Sequence, residues 1–223
     1  MIKYILTEGF RANYFIVMEE VLRKFNKMLV ERNKAVNLTA HKTEEDSWVN
    51  NIQDSLLFLD KFPSKARVLD LGSGCGCPAV PLKIALPNLD VTMIDSVNKK
   101  VMFLNDVVRD FGLVGIRAVH ERIEDFKERE SFDIVTARAV APLPTLLEYA
   151  LPFLKVGGVL FAFKGSKWQE EVNASARALK VLGGEVEDVI THSESRVLIK
   201  IKKTKPTDKK YPRGKNLPRV EPL

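Results

Sequence analysis

The spacing of hydrophobic residues changes near residue 67, and the two sides of that point predict different structures. Before it, the stretches 13–33 and 44–60 place apolar residues on one face of a helical repeat, as amphipathic helices do. After it, short apolar runs alternate with helical repeats, which predicts a mostly parallel sheet with right-handed helical crossovers. The predicted strands are 67–71, 91–95, 116–120, 132–136 and 158–163, and the predicted helices are 79–86, 98–111, 144–153 and 167–182.

The last part of the chain departs from this alternation. Residues 186–191 and 195–202 are two extended runs joined by His192-Ser193-Glu194, which predicts an antiparallel hairpin. The segment Lys155-Val156-Gly157-Gly158 predicts the end of a helix, because glycine commonly follows the last helical residue. The sequence therefore predicts an α/β fold in three parts: an N-terminal helical extension at 1–62, a main domain at 63–203 and a C-terminal arm at 204–223.

Charge adds one further feature to this organisation. The 223 residues carry a net charge of +6, and residues 204–223 alone hold six basic and two acidic residues. The same segment contains four prolines, which argues against a regular helix or an inner strand. This composition fits an extended arm that lies on phosphates or a solvated tail, and it does not decide between them.

Several absences narrow the class of protein. No apolar run is long enough to span a bilayer, and the N-terminus lacks the apolar core of a signal peptide. The only cysteines, Cys75 and Cys77, are one residue apart, which is a poor disulfide framework and too few ligands for structural zinc. We expect a cytoplasmic protein with no membrane partner and no metal. Nothing indicates an obligate dimer, so we expect a monomer.

The most specific chemistry lies in Asp70-Leu71-Gly72-Ser73-Gly74-Cys75-Gly76-Cys77-Pro78, which ends the first apolar strand, and in Asp95, which ends the second. Glycines let the backbone pass close to a ligand, and a carboxylate at the next strand end can bind a ribose diol. A dinucleotide fingerprint would need glycine at position 77, and a dehydrogenase would need a substrate domain for which this chain has no room. The spacing Gly-x-Gly-x-Gly instead resembles the S-adenosylmethionine loop of class I methyltransferases. Their seven-stranded, Rossmann-like sheet has the strand order 3-2-1-4-5-7-6 and ends in an antiparallel hairpin, which matches the pattern here.

Further motifs make the resemblance narrower. In chain order they are Asn37-Leu38-Thr39-Ala40, Asp54-Ser55-Leu56, Asp95-Ser96-Val97-Asn98-Lys99-Lys100, Thr136-Ala137-Arg138-Ala139-Val140-Ala141, Lys164-Gly165 and Tyr211-Pro212-Arg213. Together with the glycine loop they resemble the glucose-inhibited division protein B family, the bacterial 16S ribosomal RNA guanine-N7 methyltransferases. This resemblance covers nearly the whole chain. It implies S-adenosyl-L-methionine as the cofactor and 16S ribosomal RNA, or the small ribosomal subunit, as the partner.

The resemblance also implies roles for individual residues. Arg138 is the implied catalytic residue, facing both the cofactor and the target base, although an arginine at a strand end also suits a structural salt bridge. Cys77 replaces the apolar residue that the family usually has, so cofactor affinity is expected to differ. The implied cofactor-binding residues are Gly72, Gly74, Cys77, Asp95, Ser96, Ile123, Glu124 and Arg138. The predicted RNA contacts are Lys100, Lys164, Arg196 and Arg213.

Absent motifs bear on the reaction. Amino-group methyltransferases resemble one another in an Asn/Asp-Pro-Pro-aromatic motif after the fourth strand, where this chain reads Ala137-Arg138-Ala139-Val140-Ala141-Pro142. A ring nitrogen is a sensible target, since guanine N7 carries an exposed lone pair and needs only to be positioned. Two alternatives stay open: methylation of another RNA or a small molecule, and RNA binding without catalysis. The intact loop and Asp95 argue against the second.

Overall fold

The computed structural model describes the chain from Glu8 to Leu223, with side chains from Ile16 onward. These residues form a seven-stranded sheet of order β3-β2-β1-β4-β5-β7-β6, which confirms the predicted fold class. The first five strands are parallel, whereas β7 is antiparallel to both of its neighbours. The strands are β1 (Arg67–Leu71), β2 (Asp90–Asp95), β3 (Ile116–His120), β4 (Phe132–Arg138), β5 (Leu154–Lys164), β6 (Gly184–Ser193) and β7 (Arg196–Lys203).

The helices cover both faces of the sheet. Those of the described residues are α1 (Glu8–Val36), α2 (Glu44–Ser47), α3 (Asp54–Leu56), α4 (Ala79–Ala85), α5 (Asn98–Asp110), α6 (Leu143–Ala150), α7 (Trp168–Ala174), α8 (Ala176–Leu182) and α9 (Leu217–Val220). Val68 belongs to the core beneath α1, α4 and α5, whereas Leu69 and Leu71 belong to the core beneath α6 and α8. This alternation buries β1 on both sides, as in other α/β sheets. None of the helices between Glu8 and Val220 combines the length and the apolar character needed to cross a bilayer.

The segment predicted as one helix at 44–60 is irregular. Between α2 and α3 lies a π-helical stretch, Trp48–Gln53, and a short 3-10 turn follows at Leu59–Lys61. The wider helical turn redirects the side chains of residues 50–54, and such insertions are frequent at functional sites. Hydrophobic spacing alone does not reveal this change of pitch.

Two predicted helix boundaries were wrong. The glycines at 157 and 158 lie inside β5, and the preceding helix ends at Ala150 with a 3-10 turn, Leu151–Phe153. The register of β4 against β5 shifts nearby, and glycine suits such an irregular strand as well as it suits a helix end. The helix predicted at 167–182 divides into α7 and α8 at buried Ser175, whose hydroxyl donates to the Glu171 carbonyl at 2.7 Å. Serine that bonds back to the preceding turn bends a helix.

The C-terminal segment 204–223 is largely exposed but is anchored to the rest of the protein at several points. It packs against α6 and α8, burying Tyr211 and Pro218, and it ends with the single turn α9 despite its prolines. The hydroxyl of Thr145 on α6 donates to the Pro218 carbonyl at 3.0 Å. These contacts hold the C-terminal segment against α6 and α8.

Candidate functional site

The glycine loop joins β1 to α4 and has a conformation that favours glycine. Gly72, Gly74 and Gly76 have φ angles of 60°, 53° and 84°, in the left-handed region. A Cβ atom on Gly72 would lie 3.1 Å from Val140 Cγ2, and one on Gly76 would lie 2.9 Å from a Val80 methyl carbon. The close packing therefore leaves no room for a side chain at position 72 or 76.

Asp95 ties this loop to the end of β2. Its side chain is buried, Oδ2 accepts from the Gly74 N–H at 2.9 Å, and Oδ1 accepts from the Val97 N–H at 2.8 Å. A carboxylate oxygen has more than one acceptor site, so both oxygens can also accept from the hydroxyls of a ribose. Asp95 therefore holds the loop and offers the group that a nucleoside needs.

A cavity of about 100 Å³, the nucleoside cavity below, opens beside Asp95. It brings together five of the predicted cofactor residues: Gly72, Asp95, Ser96, Ile123 and Glu124. Val140, Tyr149 and Arg219 also line it, and the sequence analysis did not find them. Arg219 comes from the C-terminal segment, far from the other lining residues in sequence, so no local motif could have indicated it.

Gly74 and Cys77 lie outside the cavity lining. Gly74 contributes through its N–H to Asp95, as described above. The Cys77 side chain is buried in the core beneath α1, and burial raises the pKa of its thiol. The pKa of Cys75 is lowered instead, because the Cys77 thiol donates to it and because the positive charge of Arg138 lies nearby. The structure shows core packing for the Cys77 side chain, and its contact with the cofactor stays a prediction.

Asp70 supplies an observation that fits a bound ligand. The side chain is buried, Oδ1 accepts from the Thr136 hydroxyl at 2.6 Å, and Oδ2 has no hydrogen-bond partner within the described residues. Burial raises the pKa of this carboxyl to about 6, so it is ionised at neutral pH. An unpaired anionic oxygen just before the loop is suited to the ammonium group of a methionine-type ligand. The residues present therefore fit S-adenosylmethionine.

Arg138 ends β4 and is bound on several sides by residues of the irregular helical segment. Its Nη1 donates to Asp54 Oδ2 at 3.1 Å and to the Asn50 carbonyl at 3.0 Å, and its Nη2 donates to Asn51 Oδ1 at 2.9 Å. Ala139, which follows directly, has a φ of 56°, a strained conformation for a residue other than glycine. The arginine is thus fixed in position.

Asp54 connects Arg138 to a second arginine. Its Oδ1 accepts from Arg196 Nε at 2.9 Å, and Arg196 Nη2 also donates to Asn50 Oδ1 at 2.8 Å. Two predicted site residues therefore meet on one carboxylate. The motif Asp54-Ser55-Leu56 gave no indication of this pairing, since an acidic residue in an amphipathic helix is usually only solvated.

A larger cavity of about 410 Å³, the target cavity below, opens above these arginines. It lies at the carboxyl ends of β4 and β5, and Val140 lines both this cavity and the nucleoside cavity. Open α/β sheets bind ligands at this edge. Its other lining residues include Asp54, Phe58, Arg138, Phe163, Lys164, Glu171, Arg196 and Val197.

The predicted RNA contacts have different surroundings. Lys164 and Arg196 line the target cavity, although Lys164 Nζ is also paired with Glu171 Oε2 at 2.6 Å. Lys100 is half-buried on α5 and lines neither cavity. Arg213 is engaged internally: its Nη2 donates to Glu148 Oε2 at 2.7 Å, and that carboxylate is fully buried. Arg213 therefore anchors the C-terminal segment rather than presenting a free cation.

Comparisons with known proteins agree with this geometry. The family model of rRNA small subunit methyltransferase G (GidB) matches residues 18–199. The chain is 44% identical to Ribosomal RNA small subunit methyltransferase G of Desulfitobacterium hafniense, covering 87% of this chain and 85% of that protein. It is 43% identical to the protein of the same name from Lactobacillus johnsonii, covering 95% and 96% of the two chains.

Solved structures show the same fold at low identity. TYW2 of M. jannaschii, in complex with AdoMet, matches with a TM-score of 0.58 and 16% identity, covering 69% of this chain and 76% of that chain. A SAM-dependent methyltransferase of Aquifex aeolicus matches with a TM-score of 0.57 and 17% identity, covering 71% and 93% of the two chains. The glycine loop, Asp95 and these matches lead to one conclusion: the chain belongs to the rRNA small subunit methyltransferase G family and is an S-adenosylmethionine-dependent enzyme.

Proposed function

We propose that this chain transfers a methyl group to N7 of a guanine in 16S ribosomal RNA, and that the target cavity receives the base. The observation that carries the proposal is the contact between the two cavities at Val140, with Arg138 fixed at the end of the intervening strand. A nucleoside held beside Asp95 and a base held beside Arg138 would share one wall. Family membership supports the ribosomal substrate.

The residues around the cofactor act by binding and orienting. When bound, S-adenosylmethionine would supply a methyl carbon that accepts the lone pair of N7 as the bond from that carbon to the sulfonium sulfur breaks, so the sulfur becomes neutral, the base gains the positive charge and no proton is removed. Asp95 would bind the ribose hydroxyls, and Asp70 Oδ2 would accept from the ammonium group. The glycine loop between these two carboxylates would hold the ligand between them. Positioning of this kind supplies much of the rate in reactions that need no base.

The residues of the target cavity hold the base. Arg138 Nε makes no hydrogen bond within the part of the chain that the structure describes, so it can donate to a base oxygen such as guanine O6. Asp54 offsets one of the two positive charges of Arg138 and Arg196, which reduces repulsion of the positive charge that N7 gains. Arg138 is thus proposed as the catalytic residue that orients the guanine. Lys164 and Arg196 are proposed to contact the RNA at the cavity rim.

The experiment uses the purified full chain with S-adenosylmethionine labelled in the methyl group. Small ribosomal subunits lacking N7-methylguanosine, naked 16S RNA and free guanosine are offered as separate substrates. The proposal expects label in 16S RNA, at a base that becomes sensitive to N7-specific strand cleavage. Label only in guanosine, or in RNA at an atom other than N7, would overturn it. The Arg138→Ala protein serves as the control for labelling that does not depend on the target cavity.

Three further features complete the proposal. A ribosomal RNA substrate implies a cytoplasmic place of action. The chemistry at N7 needs no Lewis acid, so we expect activity in the presence of a chelator. Both cavities are built from the residues of one chain, which supports a monomer as the active unit. Activity that disappears in the chelator, or that depends on protein concentration beyond first order, would contradict the last two features.

A further inference from the structure

The C-terminal segment 204–223 follows a fixed path over the domain. Tyr211 is buried, and Arg213 makes three side-chain hydrogen bonds with the fully buried Glu148, at 2.9, 3.2 and 2.7 Å. Further along, the buried Pro218 accepts from the Thr145 hydroxyl at 3.0 Å. These anchors determine where the next residue lies.

That next residue, Arg219, reaches the nucleoside cavity. Its Nη2 donates to the Val140 carbonyl at 3.0 Å, and its side chain lines the cavity together with Asp95 and Glu124. Within the described residues, no carboxylate lies within salt-bridge distance of Arg219. Arg219 thus brings a positive charge to the nucleoside cavity, and none of the carboxylates that the structure describes forms an ion pair with it.

The cavity walls suit an adenine ring beside this guanidinium. Ile123 offers an apolar surface, and Glu124 has a side chain only 5% exposed, whose one ion pair, with Arg122, is long at 3.5 Å. A planar guanidinium binds well over an aromatic ring, through its charge and through stacking. Adenine presents such a ring, and no other charged group is needed to hold it.

We infer that Arg219 is a cofactor-binding residue that covers the adenosine part of S-adenosylmethionine, so that the C-terminal segment forms one wall of the cofactor site. This inference rests on the cofactor alone and does not depend on which base is methylated. Binding measurements without RNA therefore test it separately from the proposed function.

The decisive variant is Arg219→Gln, because glutamine keeps a donor for the Val140 carbonyl and removes the cation. Calorimetric titration with S-adenosylmethionine and with S-adenosylhomocysteine is expected to show roughly tenfold weaker binding of both ligands. Both should weaken alike, because they share the adenosine part. Lys209→Ala removes a positive charge from an exposed position of the same segment and serves as the matched control, with unchanged affinity. Arg219→Lys should bind with intermediate affinity.

A merely structural role for Arg219 gives a different result. In that case Arg219→Ala would lower the midpoint of thermal unfolding without ligand, while both dissociation constants stayed within about twofold of the wild-type values. That outcome, or wild-type affinity in Arg219→Gln, would overturn the inference. The turnover number at saturating S-adenosylmethionine should be unchanged in Arg219→Gln, with the loss confined to the KM for the cofactor.

Discussion

The nucleoside cavity and the target cavity share Val140 as a lining residue, but they differ in how far apart in sequence their hydrogen-bonded partners lie. Asp95 holds the loop N–H of Gly74 across 21 residues, and both lie at the ends of neighbouring parallel strands. In the target cavity, Arg138 pairs with Asp54 across 84 residues, and Asp54 pairs with Arg196 across 142. The first cavity is built mainly from backbone turns, the second from side chains of distant elements.

Because of this difference, we expect substitutions in the two cavities to change different constants. Loss of a side chain from the nucleoside cavity should weaken cofactor binding, because its groups are proposed to contact that ligand. Loss of a side chain from the target cavity should lower turnover and leave cofactor affinity unchanged, because the cluster around Asp54 is proposed to position the base. Variants can therefore separate the two cavities by which constant changes.

The largest expected effect comes from Arg138→Ala. Turnover should fall about 1,000-fold or more, since both positioning and electrostatic stabilisation are lost. Asp54 keeps Arg196 as its partner, so the fold should survive. Single-turnover methylation of small subunits and calorimetry with S-adenosylmethionine measure the two constants. Near-normal turnover, or cofactor affinity that falls as steeply as turnover, would contradict the proposed division of roles between the two cavities. Arg138→Lys, which keeps the charge but loses the multiple contacts, should recover little activity.

A second change tests Arg219, which the C-terminal segment brings to the nucleoside cavity. Glu148→Gln removes the buried charge that holds Arg213, and breaking such a pair from one side costs about 3 kcal/mol of unfolding free energy. Urea denaturation measures that loss. Because the same anchor directs Arg219, cofactor affinity should fall as well. Glu185→Gln, at an exposed position of β6, is the control and should be close to wild type. A variant as stable as that control would show that the pair contributes little.

Asp95→Ala should act on cofactor binding more than on stability. The variant loses the acceptor for the ribose and for two backbone N–H groups, so the dissociation constant should rise about 100-fold, as expected for charge-assisted hydrogen bonds. Turnover at saturating cofactor should change much less. Asp90→Ala, at the exposed start of the same strand, provides the control. Unchanged affinity in Asp95→Ala would remove this residue from the cofactor site.

The smallest effect concerns pH and Asp70. Burial raises the pKa of this carboxyl from 3.8 to about 6, so the folded protein keeps the proton in a range where the unfolded chain has lost it. Its contribution to stability therefore falls as pH rises from about 4 to about 6, by about 2 to 3 kcal/mol in all. Asp70→Asn should remove this slope from ligand-free protein in urea denaturation at a series of pH values. Identical slopes in the two proteins would show that Asp70 titrates normally.

Site residues that local structure places could be predicted from the sequence, whereas those that tertiary contacts place could not. Gly72, Asp95 and Ser96 line one cavity, as expected when a strand and its following turn are local and parallel strands bring their carboxyl ends to one edge. Arg138 was predicted from a family motif at a strand end, and its catalytic role stays a prediction. The pairing of Asp54 with Arg138 and Arg196 was not predicted. A π-helical stretch turns Asp54 toward β4, and hydrophobic periodicity does not reveal such a stretch. Arg213 was assigned to RNA because a basic, proline-rich segment gives no sign of the buried glutamate that binds it.

The sequence by itself determined which segments form the parallel strands and where the glycine loop lies, because alternating polarity and glycine spacing act within a few residues. The order of the strands was an implication of the family resemblance, and the structure confirms it. Only the tertiary structure decided that the C-terminal segment folds onto α6, that Arg219 reaches the nucleoside cavity and that two arginines share Asp54. These contacts join residues far apart in the chain, and two of them pair opposite charges: Arg213 with Glu148, and the two arginines with Asp54. Tertiary packing decides whether a charged side chain is solvated or paired with a buried partner. Composition and periodicity therefore cannot predict it.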